Sequence, residues 1–120
     1  MKFKVTAPFG VPTGTYTGTI LGVEYRDNPY NYTDFIVEVD LPNVEMKPTL
    51  KVGFPSFVST DSNLGNFLSK FTSITIGIEV DPEVVTKSKR VKFDVANMPG
   101  TGKNKDKTYA NIVPSTIKPI

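Results

Sequence analysis

A chain of 120 residues with 38% apolar content suits one domain, residues 1–120, around a single core. With no cysteine and no histidine, it excludes a disulfide scaffold, a thiolate metal centre and any Ser–His or Cys–His nucleophile. The net charge of +2 hides an asymmetry: residues 1–83 hold six basic and ten acidic side chains, residues 84–120 eight and two, so a basic C-terminal third follows an acidic body.

Turn residues punctuate the chain at intervals of roughly 8–15 positions, which predicts a small all-β barrel or sandwich. The first strand is GTYTGTILGVEY, Gly14 to Tyr25, rich in β-branched and aromatic residues. Gly18 and Gly22 inside it mark a bulge or bend. RDNPYNY then forms a connecting loop, with Asn28-Pro29 as its turn signal. In TDFIVEVDL, Phe35, Val37, Val39 and Leu41 share one face, opposite Ile36, Glu38 and Asp40. TLKVGFP is a third strand, with Leu50, Val52 and Phe54 in register and Lys51 opposite them.

DSNLGNFLSKF changes period. Leu64, Phe67, Leu68 and Phe71 stand at i, i+3, i+4 and i+7, which predicts a helix over Asp61–Phe71 capped by Thr60, Asp61 or Ser62. Gly65 within it costs about 1 kcal/mol against alanine. ITIGIEV alternates again, with Ile74, Ile76, Ile78 and Val80 on one face, and DPEVV suits a helical turn. RVKFDVAN is a strand with Val91, Phe93 and Val95 inward and Arg90, Lys92 and Asp94 outward; TYANIV is the last. Pro114 and Pro119 keep the tail PSTIKPI from extending far into a sheet. Three strands, a helix, then at least two strands is the order of an OB-fold, a five-stranded barrel with one helix between strands 3 and 4. A sandwich with an accessory helix and another small barrel are the competing architectures.

Lys103, Lys105 and Lys107 alternate along PGTGKNKDKTYANIV beside Tyr109. Like charges on one loop repel, so the loop is either a solvated tip or a grip for an anion. GTGKN is not a P-loop: Asn97 and Asn104 stand where that motif needs glycine and Ser or Thr, and strand signals follow in place of its helix. In an OB-fold the loops between strands 1 and 2 and between strands 4 and 5 grip the ligand. Here the first carries Arg26, Tyr30 and Tyr32, and the second the three lysines. Tyrosine rings stack on unpaired bases at about 1–3 kcal/mol each, without reading sequence. Lys51, Arg90 and Lys92 project from strands and would track phosphates. The bland alternatives are a rim lid for Tyr30 and Tyr32 and a solvated face for the lysines. Glu38 and Asp40 on the second strand weigh against a uniformly basic groove. That pair, about 7 Å apart by strand geometry, lacks a third ligand for a cation. No catalytic constellation is present, so no enzyme, metal or cofactor is expected. The opening MKFKVTAPFG lacks the apolar run of a secretory leader, and no stretch of 18 apolar residues exists to span a membrane, so a cytoplasmic location is expected.

GTYTGTILGVEY, SNLGNFLSKF and GKNKDKTYANIV together resemble phage-encoded single-stranded DNA-binding proteins of the OB-fold type, the lactococcal phage members among them. The resemblance implies nonspecific single-strand binding in phage replication or recombination, as a homo-oligomer, a dimer foremost, with phage recombinase or replication proteins as partners and the host cytoplasm as location. Bacterial members close on an acidic tail that recruits partners; IVPSTIKPI stands here, so recruitment of that kind is not expected. The competing reading is a structural or protein-interaction module of a virion or assembly complex, whose basic loop grips an acidic protein surface.

Overall fold

The structure, a computed structural model, describes residues 11–27, 30–42, 46–99 and 108–120, with backbone alone at 98, 99 and 108. Alternating, β-branched runs form the strands as their period requires. β1 (Gly14–Arg26), β2 (Tyr32–Val39), β3 (Thr49–Pro55), β4 (Arg90–Pro99), β5 (Thr108–Ile112) and the two-residue β6 (Lys118–Pro119) make one antiparallel sheet. Its order is β3-β2-β1-β4-β5, with β6 added to β4. The long β1 serves both halves: Gly14–Thr19 pair with β4, and Gly18–Arg26 with β2. The register slips between Ile20 and Gly22, the bulge that the glycines announced.

The chain is mostly β, with two short helices. β3 and β5, the two ends of the path, lie side by side but share no ladder, so the sheet is not closed into a barrel. β3 ends on Pro55, which has no N–H to donate, and β5 is only five residues long.

α1 (Asn63–Leu68) is shorter than the predicted Asp61–Phe71. Ser62 is its cap, its hydroxyl accepting from the Gly65 N–H at 3.0 Å. Gly65 belongs there for space: a Cβ would run into the Ser59 carbonyl oxygen and the Ser62 hydroxyl. The helix stripe drives Phe67 into the sheet. Its ring stacks on Phe54 at 4.9 Å and meets Phe35 and Phe71 edge-on at 4.7 and 5.2 Å. This aromatic group joins Ile20, Val37, Val39, Val52, Leu64, Leu68, Val91, Phe93, Val95 and Ile117 in one buried core.

One departure from the alternation pattern stands out. ITIGIEV forms no strand: Gly77 breaks it at φ +88°, Ile76 is 95% exposed, and only Ile74 and Val80 rest against the core. Alternation supplies a face but does not keep the backbone extended, and the Gly77 break ends the run. A second helix, α2 (Pro82–Thr86), follows, capped by Asp81 with Pro82 opening its first turn. The tail, in contrast, contributes a short β6 as its prolines allow: Pro119 faces Val91, and the Ile120 N–H donates to the Arg90 carbonyl at 3.1 Å. Among the described residues, no helix is long and apolar enough to cross a membrane.

Candidate nucleic-acid interface

The β1–β2 connection is where the predicted grip is best defined. Antiparallel pairing sets Arg26 directly opposite Tyr32, and Tyr32 in turn opposite Pro55 on β3. The Arg26 guanidinium lies over the Tyr32 ring at 4.9 Å from its centroid. It is also forked onto the Asp34 carboxylate, with Nη2 to Oδ1 at 3.0 Å. Asp34 is almost completely buried, and its hydrogen bond raises the Arg26 pKa further above the ordinary value. Arg26 therefore neutralises a buried carboxylate and clamps a ring. It is not a spare cation.

Tyr32 is accordingly half-buried, while Tyr30 is 71% exposed with its ring in solvent. The two tyrosines that the sequence treats alike thus divide. Arg26 covers one face of the Tyr32 ring, whereas Tyr30 is exposed. Beside Tyr32 runs an open groove floored by Gly53, Phe54 and Phe67 and walled by Pro55, Asn63, Asn66, Lys70 and Ser115. It offers the half-buried Tyr32 ring and proline surface together with amide groups that donate and accept.

The strand cations also divide. Lys51 pairs with Glu24 at 2.7 Å. Arg90 donates to Asp40, which also accepts from Thr17 at 3.0 Å and Lys47 at 3.3 Å. These bonds, that of Arg90 foremost, hold the Asp40 carboxyl down at about 2. Of the two acids the sequence places on the second strand, Asp40 is already occupied as an acceptor by Arg90 and Lys47. Lys92 is exposed on β4, opposite Thr17 on one side and Lys118 on the other. Among the described residues, no group of three metal-ligating side chains gathers.

Tyr109 on β5 is 43% exposed and faces Met98 across the ladder. Lys103, Lys105 and Lys107 lie outside the described residues. Along the ladders, β1 opens at Gly14 beside Val95 and closes at Arg26 beside Tyr32, so the β1–β2 turn and the β4–β5 hairpin leave opposite ends of β1. Among the described residues, no ring contact joins Tyr109 to Tyr30 or Tyr32.

Sequence reasoning missed Asn63, Asn66, Lys70 and Lys118. Lys70 falls off the apolar stripe of the helical segment, the one signal that it faces outward. Lys118 was hidden by the prolines that flank it. No family model matches the chain, and no curated protein matches it by sequence.

Proposed function

We propose that this protein is an OB-type, sequence-nonspecific single-stranded DNA-binding protein. Support for the OB-type reading comes from the strand order β3-β2-β1-β4-β5, the bulged β1 shared between two halves, and α1 placed after β3. The observation that carries the function is the groove beside Tyr32, where tyrosine, proline, amide and lysine side chains line one open channel. Flat apolar surface suits unpaired bases, and an ammonium suits the phosphates between them. No cofactor takes part. The resemblance noted above extends the reading to phage replication or recombination, with the chain acting as a homodimer. A titration against fluorescent oligo-dT, oligo-rU and duplex DNA tests it: oligo-dT is expected to bind well ahead of the duplex, and equal or absent binding would end the reading.

A second reading, a protein-interaction module, is favoured by one observation. Val58, Ile74, Ile76, Ile78 and Val80 line an apolar hollow on the surface, with Ile76 95% and Ile78 52% exposed. Exposed apolar patches of this kind mark contacts with other macromolecules. Loss of oligomer in an Ile76→Ser variant with unchanged oligo-dT affinity would assign the hollow to self-association.

A further inference from the structure

A second groove adjoins the first. It is lined by Thr15, Lys70, Lys92, Phe93, Asp94, Ser115, Thr116 and Lys118, and it shares Lys70 and Ser115 with the Tyr32 groove. Three elements far apart in sequence deliver its cations: the turn after α1, β4 and β6. Lys92 and Lys118 are directly opposed across the β4–β6 ladder. Like charges in that relation destabilise a sheet. The Lys70 ammonium donates to the Ile117 carbonyl at 2.7 Å, one residue from Lys118. Its pKa is lowered, first by burial and then by the Lys118 charge. The counter-charge on this wall is Asp94, whose carboxylate is engaged by the Thr15 hydroxyl at 2.7 Å. Three lysines against one carboxylate leave the groove positive, at a cost in self-repulsion that a bound anion offsets.

We propose that Lys70, Lys92 and Lys118 form a phosphodiester-binding track that continues the Tyr32 groove, so that the sugar–phosphate backbone of one strand passes over Lys70 from the aromatic end to the lysine end. The proposal rests on the single-strand reading above and adds the path. The hydroxyls of Ser115 and Thr116 stand beside the track, with Ser115 at the junction. The Thr116 hydroxyl is already engaged with the Val113 carbonyl and the Asp94 N–H, which leaves Ser115 as the free donor at the join.

The test compares the wild-type chain with the double variant Lys92→Gln/Lys118→Gln, using oligo-dT and an abasic deoxyribose-phosphate strand of equal length, over a range of salt. Removing opposed like charges leaves the melting temperature at or above that of the wild type, so lost binding cannot be lost folding. Each phosphate contact on a single strand contributes roughly 0.7 to the log–log salt slope. The expected result is a slope flattened by about 1.4 for both probes, with oligo-dT binding the wild type more tightly than the abasic strand. If oligo-dT binds and the double variant keeps both affinity and slope, the track is overturned and the single-strand reading stands. If both probes bind alike and the variant loses both, the track stands as a polyanion site and base recognition falls. If the wild type binds neither probe, both proposals are overturned.

Discussion

Arg26 lies over the ring of Tyr32 and, with the same guanidinium, holds the buried carboxylate of Asp34. One cation thus neutralises a charge inside the sheet and fixes the ring at the edge of the groove. Tyr30, a short step back along the turn, has no such anchor and stands 71% exposed. Tyr30→Ala is therefore expected to leave the melting temperature within experimental error and to weaken oligo-dT binding by about 1–3 kcal/mol. Tyr30→Phe keeps the π-face and is expected to bind almost normally.

Tyr32→Ala is expected to behave differently. It removes the surface under Arg26 at the start of β2, where that strand meets β1 and β3, so stability should fall by about 1–2 kcal/mol, with folded-fraction affinity falling as well. Arg26→Ala should be worse, because it leaves the Asp34 carboxylate in the sheet without its partner; a lower denaturation midpoint than that of Tyr32→Ala is expected. The double change Arg26→Met/Asp34→Leu should recover part of that loss, since no unpaired charge remains.

Gly65→Ala opposes helix propensity to packing. The propensity gain is about 1 kcal/mol. Against it, the new Cβ meets the Ser59 carbonyl, backbone that cannot swing aside. Overpacking of this kind costs about 1–3 kcal/mol, so the variant is expected to melt below the wild type in spite of its better helix former.

Much of this fold was legible because its signals are local. The stripe from Leu64 to Phe71 announced α1, Ser62 was one of three candidate caps, and the alternation in β2, β3 and β4 marked the inward rows that face the core. ITIGIEV misled because alternation reports which side chains could share a face and not whether the backbone stays extended, and Gly77 at φ +88° breaks the run. The site was less legible. Arg26, Lys51 and Arg90 looked like spare cations in one dimension, and only tertiary placement brings each to Asp34, Glu24 or Asp40. Lys70, Lys92 and Lys118 share no motif because three separate elements carry them.

Asp40 gives the fold an acid-sensitive contact. Its carboxyl, held by Arg90, Thr17 and Lys47, titrates at about 2, below the unfolded value near 4. A depressed carboxylate stabilises the native state fully above the unfolded value and loses that contribution as pH falls through the native one. Asp40→Asn is thus expected to cost about 1 kcal/mol at neutral pH, a modest figure because the partners are partly exposed. The gap between variant and wild type should close between about pH 4 and pH 2, as read from melting temperature against pH.

The central claim is that an open groove running from Tyr32 past Lys70 receives a single strand, and the most direct measurement is which backbone amides move when unlabelled oligo-dT is titrated into the isotopically labelled chain. The account predicts concerted shifts at Tyr32, Gly53, Asn63, Asn66, Lys70 and Ser115, saturating together, with Ile76 and Ile78 on the apolar hollow unmoved. Saturable shifts confined to the hollow, or no shifts at low salt, would contradict it.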